Sequence, residues 1–223
     1  MSTPYATLRH AIRTKTACVS VIGLGYVGLP LAVEFARVGF RVIGIDVNAD
    51  KVRRINRGRN YIQDVDDALL ADLVRRGCLR ATTDYGELRR ADTVSVCVPT
   101  PLSKTGDPDI SFMLAARDAM LPHVRPPLVF VLESTTYPGS TQEVIVPKLE
   151  ERGFVVGRDV FVAFSPERVD PGNPVYKTHN TPKVVGGMTR RCTAVACALY
   201  GSIIERVVPV SSCAAAEMAK LLE

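Results

Sequence analysis

Apolar residues fall along this chain in two alternating rhythms. Short unbroken runs rich in β-branched residues predict strands buried on both faces: Ala17–Ile22 (ACVSVI), Arg41–Asp46 (RVIGID), Thr93–Val98 (TVSVCV), Leu128–Leu132 (LVFVL), Val160–Phe164 (VFVAF), Lys183–Val185 and Ile203–Val208. Between them, apolar residues three and four apart predict helices over Tyr26–Val38, Asp50–Asn56, Ala68–Arg76, Phe112–Leu121, Thr141–Arg152 and Thr189–Tyr200. Gly39 is the stop signal of the first of these, and Pro147 predicts a kink or a division in the fifth. Residues 1–16 predict a short leading helix carrying Arg9, Arg13 and Lys15. Strands alternating with helices predict an α/β fold, a doubly wound parallel sheet with helices on both faces. The domain so predicted spans residues 17–210. Residues 211–223 begin a further helix that has no Gly, Pro or cap to end it, so a truncated chain is expected.

Composition narrows the class. The chain has 223 residues, 47% hydrophobic and 23% charged, as in an ordinary globular protein able to bury a core. The net charge of +5 comes from scattered pairs, Arg53–Arg54, Arg75–Arg76, Arg89–Arg90 and Arg190–Arg191, without interleaved aromatics. Such pairs read as solvated helix faces that lend a mild positive field, so no nucleic-acid partner is expected. The six cysteines, Cys18, Cys78, Cys97, Cys192, Cys197 and Cys213, form no CxxC pair, and with only three His no metal site is expected. Met1–Thr16 lacks the apolar centre of a signal peptide, and no run is long enough for a membrane span. A reducing cytoplasm fits these features.

The first strand runs into Gly23-Leu24-Gly25-Tyr26-Val27-Gly28, a GxGxxG that opens a helix. Gly23 permits the turn, Gly25 lets a pyrophosphate approach the backbone, and Gly28 lets helix and strand pack closely. The N–H groups of Tyr26 and Val27, at the positive end of the helix, are then placed for phosphate. Asp46 ends the second strand, eighteen positions after Gly28 (46 − 28). Its carboxylate suits ribose hydroxyls and repels a 2′-phosphate, which predicts NAD rather than NADP in a Rossmann-like domain. The plainer alternative makes Asp46 a cap of the next helix. Lys51 either flanks the adenosine or is a solvated helix residue.

Ligands of this fold bind beyond the carboxyl ends of the strands. Those ends carry Val98-Pro99-Thr100-Pro101, Glu133-Ser134-Thr135-Thr136-Tyr137-Pro138-Gly139, Ser165 to Asn173, and Gly186–Gly187. Singly, Ser134 or Thr135 reads equally as a helix cap, Glu167 as a surface-loop residue and Gly186–Gly187 as a turn. Their common placement predicts a shared site, with Val98, Pro99, Thr100, Ser134 and Thr135 added to the cofactor-binding residues.

The segments GLGYVGLPLA (Gly23–Ala32), CVPTP (Cys97–Pro101), ESTTYPG (Glu133–Gly139), SPERVDPGN (Ser165–Asn173), PKVVGG (Pro182–Gly187) and AEMAKLLE (Ala216–Glu223) follow in that order. Together they resemble the UDP-glucose/GDP-mannose dehydrogenase family from Ala17 onward, and look most like its UDP-N-acetylglucosamine 6-dehydrogenases. The resemblance implies oxidation of a UDP-sugar C6 alcohol to a carboxylate with two NAD, for surface polysaccharides. UDP-glucose and UDP-N-acetylmannosamine are the alternative substrates. It further implies that Thr135 orients a water or the reacting oxygen, that Glu167 is the general base for water, and that Lys220 stabilises the developing alkoxide. The family's nucleophilic Cys and the Asn expected soon after Lys220 are absent from this chain, as is the uridine-binding C-terminal domain. The fragment is therefore expected to bind NAD without turnover, and its parent to be a homodimer or higher oligomer. A non-catalytic NAD-binding module is the other reading. A short-chain epimerase or reductase is excluded, since no Tyr has a Lys four residues on.

Overall fold

The structure, a computed structural model, describes residues 3–101, 108–168, 173 and 176–222. Eight strands form one sheet: β1 (Cys18–Ile22), β2 (Arg41–Ile45), β3 (Leu79–Thr82), β4 (Thr93–Val96), β5 (Leu128–Leu132), β6 (Val160–Phe164), β7 (Lys183–Gly187) and β8 (Val207–Val210). Their spatial order is β3-β2-β1-β4-β5-β6-β7-β8, and every neighbouring pair is parallel except β6 with β7. The order reverses between β1 and β4, the crevice where doubly wound sheets take their ligands. The antiparallel step departs from the all-parallel expectation. No helix is described between β6 and β7, and a parallel return needs a long crossover. The chain therefore doubles back, pairing Phe164 with Gly186.

Among the described residues, eight α-helices cover the two faces: α1 (Pro4–Arg13), α2 (Gly28–Arg37), α3 (Ala49–Asn56), α4 (Asp67–Arg75), α5 (Ser111–Met120), α6 (Val146–Glu150), α7 (Arg190–Tyr200) and α8 (Cys213–Leu221). The strands divide their side chains between two cores. Val129, Val131, Phe161 and Ala163 pack toward α2 and α7, while Leu128, Phe130, Leu132, Val162 and Phe164 pack toward α5, α6 and α8. Both faces are dry, which is why these strands read as unbroken apolar runs. Each fully buried Phe or Leu contributes about 1.5–3 kcal/mol of transfer free energy.

As Pro147 predicts, residues 141–152 divide: a π-helical turn (Thr141–Ile145) precedes α6, because Pro147 cannot donate the bond that continues an α-helix. One expectation is corrected and one strand is added. The strand expected at Ile203–Val208 begins only at Val207; Ile203 and Ile204 instead donate their N–H groups to the Tyr200 carbonyl and close the end of α7. Strand β3 carries no apolar run, since only Leu79 and Ala81 are buried, so its sequence hides it. Among the described residues no helix is long and apolar enough to cross a membrane.

Candidate functional site

A cleft of about 720 Å³ lies beyond the carboxyl ends of β1, β2, β4, β5 and β6. Gly23, Gly25, Tyr26, Val27, Asp46, Lys51, Val98, Pro99, Thr100, Ser134, Thr135, Glu167 and Lys220 all line it. Of the candidate residues, only Gly28 lies behind the wall.

The glycine turn is shaped by close approach. A Cβ on Gly28 would overlap the Gly23 carbonyl oxygen, and Gly23 itself has φ +87° with the Cys97 carbonyl 2.6 Å from its Cβ position. By contrast nothing lies within 4 Å of a Cβ on Gly25, which opens on the cleft. Tight backing behind two glycines and free space before the third form the cradle that a pyrophosphate fills, so these residues fit a dinucleotide.

Asp46 is fixed at the second strand's end. Its Oδ2 accepts from the Leu24 N–H at 2.8 Å and its Oδ1 from the Asn48 N–H at 2.8 Å, with the Lys51 ammonium 3.6 Å from Oδ2. It is not the cap of α3. That task falls to Asn48, whose side chain accepts from Asp50 and Lys51. Lys51 is thus a cleft residue rather than a purely solvated one.

Ser134 is not a helix cap either. Its hydroxyl donates to the Val98 carbonyl at 2.7 Å and fastens the β5 end to the β4 end, so Thr135 and Thr100 face one cleft. Gly186 and Gly187 are not a turn but the last residues of β7, pressed against the Ser212 carbonyl and the Thr193 N–H. Of SPERVDPGN, residues 169–172 lie outside the described part.

Four buried side chains near this cleft, Lys183, Glu133, Tyr200 and Ser95, have no role assigned from the sequence. The Lys183 ammonium lies 2.8 Å from Glu133 Oε2 and 3.2 Å from Glu167 Oε2. Tyr200 donates its hydroxyl to Glu133 Oε1 at 2.5 Å and pairs with Ser95 at 3.2 Å. Burial pulls the Lys183 pKa down, but the carboxylates of Glu133 and Glu167 more than offset it, and the ammonium is held above its ordinary value. Burial pushes the Glu133 carboxyl up against the pull of Lys183. The Tyr200 hydroxyl rises well above its usual range through burial and the Glu133 charge. Lys183 reaches this end of the sheet only because β7 is antiparallel: its first residue lies beyond the carboxyl end of β6.

Glu217, also unassigned from sequence, is buried on α8. Its Oε1 accepts from the Ser140 hydroxyl (3.0 Å), the Thr141 N–H (2.9 Å) and the Thr141 hydroxyl (2.6 Å), and its Oε2 from the Gly139 N–H (2.6 Å). One helix thus caps the start of another and locks the ESTTYPG turn. Three residues on, Lys220 donates to the Glu167 carbonyl at 2.9 Å. The signal for Glu217 was its place on an otherwise apolar stretch, SCAAAEMAK.

The Cys97 thiol lies at the cleft floor, and burial pushes it well above its ordinary pKa. No group of three or more His, Cys, Asp or Glu suited to a metal occurs among the described residues.

Comparison with known proteins matches residues 17–204 to the UDP-glucose/GDP-mannose dehydrogenase family, NAD binding domain. Protein CapL of Staphylococcus aureus is 36% identical over 207 residues, 92% of this chain and 48% of CapL. The UDP-N-acetyl-D-mannosamine dehydrogenase of Escherichia coli (strain K12) is 38% identical over 215 residues, 93% of this chain and 50% of the relative. The native structure of the UDP-N-acetyl-mannosamine dehydrogenase Cap5O from Staphylococcus aureus superposes with a TM-score of 0.86 at 28% identity, over 92% of this chain and 50% of that one. The chain spans about half the length of the curated relatives it matches.

Proposed function

Because the chain belongs to the UDP-glucose/GDP-mannose dehydrogenase family and is an NAD-binding domain, we propose that it serves as the cofactor-holding half of a UDP-N-acetylmannosamine 6-dehydrogenase. The reaction oxidises the sugar C6 alcohol to the uronate at the expense of two NAD. The observation that carries this reading is the single cleft joining the glycine turn and Asp46 to Thr135, Glu167 and Lys220. The sugar is a revision. The ESTTYPG and SPERVDPGN wording favoured UDP-N-acetylglucosamine, whereas the relatives support N-acetylmannosamine, the epimer named for the Escherichia coli protein and for Cap5O.

NAD held in the cleft would supply the hydride acceptor for both oxidations at C6. The residues of the chain supply the rest. Gly25, Tyr26 and Val27 would hold the pyrophosphate by their N–H groups, and Asp46 would take the adenosine ribose hydroxyls. The Lys220 ammonium faces the C6 oxygen as its proton leaves and stabilises the negative charge there. In the hydrolytic step, after both oxidations, the Glu167 carboxylate would take a proton from the attacking water as the acyl group leaves the nucleophilic Cys that the resemblance implies, and the thiolate is reprotonated. Thr135 would orient that water from the end of β5. Loss of the acid proton then leaves the carboxylate.

The test is a calorimetric titration of the chain with NAD and NADP, followed by NADH formation with UDP-N-acetylmannosamine, UDP-N-acetylglucosamine and UDP-glucose. NAD bound at least tenfold more tightly than NADP is expected from Asp46, and equal affinities would remove its assigned role. Faster turnover of UDP-N-acetylglucosamine than of its epimer would overturn the sugar assignment. NAD binding with no turnover of any sugar would mean that Thr135, Glu167 and Lys220 need residues outside this chain in order to act.

A further inference from the structure

Tyr61 lies outside every recognised motif, in the loop between α3 and α4, yet it touches the glycine turn. Its hydroxyl donates to the Leu24 carbonyl at 2.6 Å. The Leu24 N–H donates to Asp46 Oδ2 at 2.8 Å, and the Leu24 side chain is buried beneath Gly44. Leu24 is thus held at three points: its N–H, its carbonyl and its side chain.

The carbonyl matters most. In a trans peptide the C=O and the following N–H point in opposite directions. The Leu24–Gly25 bond is trans, since Pro126–Pro127 is the cis bond among the described residues. Leu24 does not line the cleft, whereas Gly25 does, with open space in front of it. A hydroxyl that draws the Leu24 carbonyl inward therefore turns the Gly25 N–H outward, into the open cleft.

Tyr61 is itself held firmly. The Asn60 side-chain oxygen accepts from the Tyr61 N–H (2.6 Å) and the Ile62 N–H (2.8 Å), and its amide donates to the Ile62 and Val65 carbonyls. The Arg54 guanidinium lies 5.3 Å and the Lys51 ammonium 6.0 Å from the Tyr61 ring centre, a cation–π arrangement. Burial, and then the Asp46 charge, push the Tyr61 pKa up, so the hydroxyl keeps the proton it donates.

We propose that Tyr61 is a positioning residue of the dinucleotide site, which sets the Leu24–Gly25 peptide so that its N–H meets the cofactor's phosphates. The inference rests on the NAD binding of the family. Removing the hydroxyl by Tyr61→Phe keeps the ring and its cation contacts but leaves the Leu24 carbonyl without this donor.

The experiment titrates the wild-type chain and Y61F with NAD, and with adenosine, which lacks the pyrophosphate. Y61F is expected to bind NAD roughly threefold to tenfold more weakly, the worth of one net hydrogen bond, with adenosine unchanged. Unaltered NAD affinity, or an equal loss for adenosine, would overturn the assignment. A second measurement needs no variant: on adding ADP to the 15N-labelled wild-type chain, the Gly25 amide resonance is expected to shift strongly. A Gly25 amide that ignores ADP would sink the proposal even if Y61F failed to fold. A wild-type chain with no affinity for NAD would overturn the reading of the site as well.

Discussion

Glu217→Ala is the sharpest perturbation this fold offers. Glu217 is fully buried and receives four hydrogen bonds from three consecutive residues of the ESTTYPG-to-helix junction, Gly139, Ser140 and Thr141. Alanine removes the acceptor and leaves the Gly139 and Thr141 N–H groups and the Thr141 hydroxyl without this partner in a buried junction. The Ser140 hydroxyl keeps Thr136 at 2.5 Å and is largely spared. Each buried orphan costs about 1–3 kcal/mol, and bonds to a charged acceptor stand at the upper end, so E217A is expected to cost roughly 3–5 kcal/mol. For a domain of this size that is a fall in Tm of roughly 8–15 °C. Thermal unfolding followed by circular dichroism reads it directly. E217Q, which keeps one acceptor oxygen, is expected to lose about half as much. A melting point for E217A within about 2 °C of wild type would refute the reasoning, since it would mean that water or another group satisfies the junction at no cost.

Two further outcomes follow from the buried charges. Lys183→Met leaves the Glu133 carboxylate, buried to 3% exposure, without its ammonium, and is expected to cost about 3–5 kcal/mol in denaturant unfolding. The double change E133Q/K183M is expected to recover at least half of that, and no recovery would show that Lys183 acts through packing instead of pairing. Burial pushes the Cys213 thiol up to about 12 from an ordinary 9.0. The unfolded thiol loses its proton first, so the folded state binds more protons above pH 9. Stability should be full below that value and decline as pH rises toward 12, and the decline should be shallower in Cys213→Ala. Identical alkaline melting curves for the two chains would contradict the assignment.

The dinucleotide half of the site was legible in the sequence because its chemistry is local. A GxGxxG turn between strand and helix, and an acidic residue at the next strand's end, need only adjacent segments to be placed, and Gly23, Gly25, Asp46 and Lys51 line the cleft. The same holds for the strands buried on both faces, whose apolar runs record the two cores, as at LVFVL and VFVAF. Strand β3 escaped because a four-residue strand with two buried positions is indistinguishable from a turn in composition. Lys183, Tyr200, Glu217 and Tyr61 escaped for another reason. Each is an ordinary side chain whose meaning comes from a partner 37 to 76 residues away or more.

By itself, then, the sequence determined the alternation of strands and helices, the glycine turn with its acidic partner and the cofactor class, because periodicity and the glycine turn act over a few residues. Only the tertiary structure decided the direction of β7. That one reversal carries Lys183 to the carboxyl end of the sheet, where its ammonium sits between Glu133 and Glu167. A parallel β7 would have left the lysine at the opposite edge and both carboxylates without it. Strand direction depends on how the chain returns between β6 and β7, and no property of the residues KVVGG encodes that path.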